Sequence, residues 1–423
     1  MNIYGENIRR KLNIIDLFAG CGGLTEGFEQ SGKYNSIACV EWDKAPIENL
    51  KKRLKEKWKH KNVEDMVLRF DIQRTDELIY GWKDDIQYGS HCGLEKLVLN
   101  YNCVDIIIGG PPCQAYSIAG RINKENKMEE DYRNYLFESY VKVVNYFKPK
   151  VFVFENVEGM LSAKPGGKLV TDLIRKGFDD IGYEIIYNLR ENALLDLADF
   201  GIPQNRKRVI ILGIRKDSFD GDHQKMLQDF YINILSKYHV GKKKTVKDSI
   251  FDLPKMFPTE QDYKIGSKKY SHAPIKTGMY NHIPRYHNRR DIEIFKELAF
   301  DIKSGVNKYI AIDALKNLYT EKTGKKANVH KYYVLRWNEP SNTIPAHLCK
   351  DGLRHIHPDY KQARSITVRE AARLQTFPDD YEFIGSMMWQ YKMIGNAVPP
   401  LFAKILAESV YTFIKKYHKE NLI

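Results

Sequence analysis

The sequence predicts an α/β protein: a doubly wound, mostly parallel sheet with a second, irregular domain. Short apolar runs alternate with helix-like stretches through the first half of the 423 residues, and repeated strand–helix units are the pattern of a parallel sheet covered on both faces. Most of these runs lead into a glycine or a carboxylate, and ligands collect at the carboxyl ends of such strands. From about residue 216 to 345 the periodicity loosens and Lys, Pro, Gly, His and Tyr mix.

Residues 13–18 (NIIDLF) form the first expected strand, followed by AGCGG and a helix-like LTEGFEQSG that glycine stops. Residues 37–40 form the second, ending in Glu41. After a Lys-rich helix, residues 67–70 end in Asp71, and residues 104–108 (VDIII) run into GGPPC. Residues 151–154 precede Glu155, and residues 209–214 close the series. This topology gathers Gly20, Glu41, Asp71, Cys113 and Glu155 at one edge. Helices are expected over residues 367–374 and 398–416, the second packing back on the sheet. The expected domains are residues 1–215, a basic domain over 216–345, and a return segment over 346–423 that completes the first.

Composition excludes several classes. With 43% hydrophobic and 29% charged residues the chain is neither disordered nor fibrous. No uninterrupted apolar run approaches the ~18 residues of a membrane span, so the protein is expected in the cytosol. Six cysteines are too few for a disulfide framework, and none has zinc-finger spacing, so no metal site is expected. The net charge of +13 is concentrated: residues 241–350 carry 22 Lys and Arg against 11 Asp and Glu, whereas residues 1–240 balance at 35 against 35. A neutral body with one basic segment suggests a docked polyanion; a Lys-rich surface serving only solubility is the alternative.

The loop at Gly20, Gly22 and Gly23 lets backbone approach a ligand at a helix start. It is not the dinucleotide fingerprint, because Thr25 stands where the third glycine belongs. Glu41, 21 positions after Gly20, is placed to hold ribose hydroxyls. Ribose without a pyrophosphate cradle fits S-adenosylmethionine, with Phe18 and Trp42 offering aromatic faces. A structural turn, and core packing of Trp42, are the bland readings. Cys113 follows a stiff Gly-Gly-Pro-Pro loop as a candidate nucleophile; a small core hydrophobe is the commoner fate of a lone cysteine. Glu155 ends a strand expected to be buried on both faces, where burial raises a carboxyl pKa and makes a proton donor. A solvated strand end is the alternative. Strand alternation points Gln204, Arg206 and Arg208 one way, so the two arginines are expected to share one task.

Together, IIDLFAGCGGLTEGF, IIIGGPPCQAYSIAGR, VFENVEGML, FGIPQNRKRVIILGIR, RSITVREAARLQTFPDDY and QYKMIGNAVPP resemble six blocks of the DNA (cytosine-5) methyltransferases, in that family's order. The resemblance implies a methyltransferase sheet, a target-recognition domain in the basic region, and the activity of a bacterial restriction-modification enzyme. By motif match Cys113 is the nucleophile for cytosine carbon 6. Glu155 bonds ring N3 and the exocyclic amine. Arg208, with Arg206, holds the base carbonyl and the thiol side, Pro112 shapes the pocket, and Asn396 braces the cysteine loop or target segment. Phe18, Gly20, Gly22, Gly23, Glu41, Trp42, Asp71 and Pro111 are assigned to S-adenosylmethionine, with Asp71 at the adenine edge. The 72–102 insert has no assignable role.

The loop after Cys113, with Ser117 and Arg121, is implied to close over DNA, and flipping the target base costs roughly a few kcal/mol. Gln204, His282, Arg285, His287, Arg336 and Thr343 are implied DNA contacts, phosphate and base roles unseparated. The implied partners are double-stranded DNA and a cognate restriction endonuclease, not a membrane; the implied state is a monomer in the cytoplasm of a bacterial or phage-infected cell. Two other readings keep the scaffold. An RNA substrate is disfavoured by PPCQAYS, and a silent DNA-binding protein by the intact Cys113, Glu155 and Arg208.

Overall fold

The structure is a computed structural model that describes residues 10–112, 136–326, 332–350 and 352–418. It forms two compact units. One comprises Met1–Phe200, Lys207–His239 and Val398–Ile423; the other comprises Gly201–Arg206 and Val240–Ala397.

The strands of the first unit are β1 (Leu12–Leu17), β2 (Tyr34–Glu41), β3 (Val67–Arg69), β4 (Trp82–Asp85), β5 (Gly89–His91), β6 (Ile106–Gly109), β7 (Val151–Val157), β8 (Tyr183–Ile185), β9 (Leu194–Asp196) and β10 (Lys207–Arg215). The main sheet has the order β3-β2-β1-β6-β7-β10-β8, with β9 also on β10. Every residue of β1 and β6 is buried, as aliphatic runs require where helices cover both faces. The strands from β3 to β7 pair in parallel, but β10 runs antiparallel to both β7 and β8. An apolar run such as VIILGI reads alike in either direction, so its polarity is not visible in the sequence.

The C-terminal helix Pro400–Tyr417 returns to this unit. A Cβ at Gly27 would lie 2.4 Å from the Ala403 Cβ, so the absent side chain lets the helix Gly23–Ser31 approach it closely, and Tyr34 Oη donates to the Ala407 carbonyl at 2.7 Å. One segment, Met387–Tyr417, is long and apolar enough to cross a membrane; it consists of two separate helices and is mostly buried.

The domain boundaries differ from those expected. Residues 216–239 belong to the first unit, because Gln224 Nε2 donates to the Ile185 carbonyl at 2.9 Å and the Tyr231 hydroxyl bridges Leu212 N and Ile210 O. Residues 346–397 belong to the second unit. That unit is also more regular than expected. It holds the hairpin β11 (Phe257–Ile265) and β12 (Lys268–Ala273) and the helices Arg289–Ser304 and Ile312–Thr323, whose apolar faces meet Tyr332 and Ile356 in one core.

Beside that core lies a buried polar network. Arg364 grips Glu370 with both terminal nitrogens at 2.7 Å, and Glu370 closes a capping box with Thr367 at the start of the helix Val368–Leu374. Burial opposes the ionised Glu370, yet the charge and hydrogen bonds of Arg364 hold it well below the usual carboxylate range. Burial, then the Arg364 charge, holds His272 at about 4 and His357 at about 3. Burial likewise holds His355 at about 4.

Candidate active site

The catalytic chemistry expected at the carboxyl edge of the sheet depends first on a close approach between β6 and its neighbours. A Cβ at Gly109 would fall 2.3 Å from the Leu17 carbonyl oxygen, and one at Gly110 would fall 2.6 Å from Glu155 Oε2. Glycine at both positions lets the β6 end lie against β1 on one side and the Glu155 carboxylate on the other. Glu155 Oε1 forms an ion pair with Arg208 Nε at 2.7 Å, each side chain 13% exposed. The carboxylate is thus clamped between an arginine and a bare stretch of backbone, rather than standing solvated at a strand end. Arg208 Nη1 donates to the Lys207 carbonyl at 2.7 Å, which orients the guanidinium. Asn156 Nδ2 donates to the Pro111 carbonyl at 3.4 Å; Pro111 is buried and Pro112 exposed. Cys113, Ser117 and Arg121 lie outside the described residues.

At the ends of β1, β2 and β3 the cofactor candidates come together. Gly20 and Gly22 take φ of +57° and +86°, values that favour glycine. A Cβ at Gly22 would strike Leu50 at 2.5 Å, whereas one at Gly20 would meet nothing within 4 Å. Gly23, buried, starts the following helix. Glu41 Oε2 accepts from Gly20 N at 2.9 Å, and Oε1 accepts from Trp42 N and Asp43 N, both at 2.8 Å. Burial raises its pKa against these hydrogen bonds. Phe18 takes φ +60°, a region costing an ordinary residue roughly 1–2 kcal/mol, and its ring is half-buried. Trp42 is 43% exposed. Asp71 Oδ1 accepts from Gln73 N at 3.0 Å. An open glycine cradle, a carboxylate with lone pairs to spare and an exposed indole suit a nucleoside whose linkage carries no phosphate, so the residues present fit S-adenosylmethionine.

Asp16 was not singled out by the sequence reading. Beneath the loop, it accepts from Thr25 Oγ1 at 2.5 Å, and burial pushes it up to about 7 against that bond. A carboxylate set within the otherwise apolar run IIDLF is its signal.

Several expected DNA contacts are internal to the second unit. Gln204 is buried, donating to Leu374 O and Gln375 Oε1 and accepting from Ile344 N. Arg206 is buried and does not share the work of Arg208: it binds the carbonyls of Ile344, Gly395 and Ala397 at 3.0–3.2 Å. The chain enters β10 only at Lys207, so strand alternation does not extend back to these positions. His282 bonds Thr367 Oγ1 and the Pro254 carbonyl, His287 bonds Ser365, and both are buried. Arg285 donates to the carbonyls of Leu348 and Cys349. In each, a polar side chain satisfies buried backbone or side-chain groups. Asn396 is exposed at the end of the helix Met387–Asn396. Arg336 and Thr343 line a cleft of about 890 Å³ together with Asn342, His347, Lys350 and Arg354.

Comparison with known proteins places this geometry. The profile of the family described as C-5 cytosine-specific DNA methylase matches residues 12–82 and 84–412. The type II methyltransferase M.Bpa9945I of Bacillus paralicheniformis is 35% identical, covering 96% of this chain and 100% of its own. The type II methyltransferase M.DdeI of Desulfomicrobium norvegicum is 31% identical, covering 97% and 91%. Among solved structures, the S. pombe Dnmt2 methyltransferase shares the fold with a TM-score of 0.53 at 15% identity, covering 96% of this chain and 99% of its own. The chain belongs to the C-5 cytosine-specific DNA methylase family, and is a DNA cytosine-5 methyltransferase of the kind found in type II restriction-modification systems.

Proposed function

We propose that the protein methylates cytosine within one short sequence of duplex DNA, on a base flipped out of the stack, through covalent addition of Cys113. The observation that carries this reading is the Glu155 carboxylate held between Arg208 and the bare Gly110 backbone, at the start of the loop that leads to Cys113.

Carbon 5 of cytosine is a poor nucleophile. The Cys113 thiolate adds to carbon 6, and the ring becomes an enamine that is nucleophilic at carbon 5; once carbon 5 is methylated, loss of its proton expels the Cys113 thiolate and restores the ring. Glu155 bonds N3 and the exocyclic amine and supplies a proton as negative charge develops on the ring. Arg208 holds Glu155 in place and offers its remaining donors to the base carbonyl. S-adenosylmethionine, when bound, supplies an electrophilic methyl group. Glu41 holds its ribose, Asp71 the adenine edge, and Phe18 and Trp42 the aromatic contacts. Phosphate and base contacts are assigned to the basic unit, with Arg336 and Thr343 at its cleft, and contacts of that kind offset the cost of flipping. Methyl transfer to one strand at a time needs no two-fold symmetry, so the acting species is a monomer; sedimentation as a stable dimer at nanomolar concentration would contradict that. A restriction endonuclease acting on the same site is the expected biological partner.

The test is base-resolution 5-methylcytosine mapping of plasmid DNA from a methylation-deficient host expressing the protein or its Cys113→Ala variant. Methylation confined to one short context, absent in a variant that still binds S-adenosylhomocysteine, supports the reading. Unmodified DNA from folded, cofactor-binding wild type refutes it.

A further inference from the structure

Two helices flank the cofactor candidates, and a buried ion pair that the proposed chemistry does not use joins them. The helix Gly23–Ser31 leaves the glycine loop, and the helix Lys44–Glu56 starts just after Trp42 and Asp43. The Glu26 side chain on the first is 1% exposed and the Arg53 side chain on the second 7%. Arg53 grips the carboxylate at two points, Nε to Oε2 at 2.9 Å and Nη2 to Oε1 at 2.7 Å. Trp58, just past the end of the second helix, donates from Nε1 to the same Oε2 at 2.9 Å, and Gln30 Nε2 donates to Oε1 at 3.1 Å. A carboxylate held by a guanidinium fork and by further donors at both oxygens has one arrangement open to it.

The pair lies one helical turn from the loop. Glu26 N donates to the Gly22 carbonyl at 2.8 Å, so the residue that carries the carboxylate is hydrogen-bonded to the loop itself. Leu50 stands one turn before Arg53 on its helix. It comes so near Gly22 that a Cβ there would lie 2.5 Å from Leu50 Cδ1, and it shares a buried cluster with Ala19. At the far end of the loop Gly20 N donates to Glu41 Oε2 at 2.9 Å. The two segments are therefore tied at three levels: Gly20 to Glu41, Gly22 against Leu50, and Glu26 to Arg53. The middle contact is apolar and non-directional, whereas the two-point ion pair fixes distance and angle together.

We propose that Glu26 and Arg53 are positioning residues for the cofactor: by holding the two helices at one spacing, they keep the glycine loop and the Glu41 carboxylate in register for S-adenosylmethionine or S-adenosylhomocysteine. This rests on the cofactor reading of Gly20 and Glu41. A buried ion pair is a weak source of stability, because the cost of desolvating two charges offsets much of their attraction, and an apolar pair of similar volume often serves the fold as well. Such a pair has no fork to set the spacing. The role of Glu26 and Arg53 therefore separates from their contribution to folding, and shows in cofactor affinity.

The experiment is calorimetric titration of the full chain with S-adenosylhomocysteine, beside urea denaturation, for wild type, Arg53→Lys, Arg53→Met, Glu26→Met/Arg53→Met and Glu41→Ala, with kcat and KM measured for both substrates. Arg53→Met strands the Glu26 charge and should lower the urea midpoint; the double variant removes that charge and should recover it. Affinity should not recover with it. In the double variant, and in Arg53→Lys, which keeps the charge without the fork and should still fold, binding is expected to weaken by about threefold to tenfold, the scale of one displaced hydrogen bond. KM for S-adenosylmethionine should rise by a similar factor, while kcat and KM for DNA change by less than twofold. Wild-type affinity in Arg53→Lys or in the refolded double variant overturns the proposal, as does an affinity that follows the urea midpoint across the series, provided Glu41→Ala binds weakly. Wild-type affinity in Glu41→Ala would instead overturn the cofactor reading itself.

Discussion

Replacing Gly110 with alanine puts a methyl carbon 2.6 Å from Glu155 Oε2, where ordinary contact begins at 3.4 Å, so the carboxylate must retreat by about 0.8 Å. The β6 backbone is held between β1 and β7, and the end of the Glu155 side chain is the more easily moved of the two. The fold should barely register the change: Gly110 has no positive φ, and loss of unfolded-state freedom offsets roughly 0.4–1 kcal/mol of any strain. Chemistry should register it strongly, since misplacing a catalytic group by ~1 Å can cost about 10²-fold in rate. The expected result is a kcat reduced by about 10²-fold, S-adenosylhomocysteine affinity within twofold of wild type, and a urea midpoint nearly unchanged. Radiolabelled methyl transfer to DNA, calorimetry and denaturation measure the three. A variant with wild-type kcat would refute the clamp, as would one whose loss of activity is matched by a loss of stability.

Asp16→Asn should gain stability relative to wild type as pH rises from 5 to 8. The wild-type carboxyl is held at about 7 in the fold and near ~3.9 when unfolded, so its contribution is whole below ~3.9 and is lost as pH rises through 7. The relative gain should be roughly 2–3 kcal/mol, and urea midpoints that run parallel across that range would contradict it. Buried His272, His355 and His357 work in the opposite sense: held at about 3 to 4, they contribute stability that is whole above ~6.5 and lost as pH falls toward 4. Their ring protons should not titrate by NMR between pH 8 and 5, and a midpoint near 6.5 for any of them would show that it is not buried in solution. His282→Ala should cost roughly 2–4 kcal/mol of stability by orphaning buried partners. Lys350→Ala, exposed at the cleft, should leave stability unchanged and lower the slope of log K against log salt by about one. The reverse assignment of these two effects would invert the picture of the basic unit.

The strands that carry function were legible because each combines an apolar run with a break at its carboxyl end, and both signals are local. VDIIIGGPPC and VFVFE bring Cys113 and Glu155 to one edge in the sequence expectation without any knowledge of what lies beside them. Pairing of Glu155 with Arg208 was half legible: both residues were singled out, but their contact depends on β10 running against β7, which no local pattern encodes. The histidines of NHIPRYHNRR looked like a basic surface because composition does not report burial. Two of the three residues proposed there as DNA contacts, His282 and His287, are instead buried beside the Arg364–Glu370 network, whose members lie about 80 positions away. Arg206 and Arg208 stand two residues apart in sequence and yet belong to different units.

The amino-acid sequence by itself determined the class of sheet, the residues at its carboxyl edge and the family, because periodicity, glycine placement and motif order are written along the chain. Tertiary structure alone decided the direction of β10, the clamp on Glu155, and the burial of Arg206 and the histidines. Each of these is a contact between segments far apart in sequence, and its energy exists only once packing has removed water from both partners.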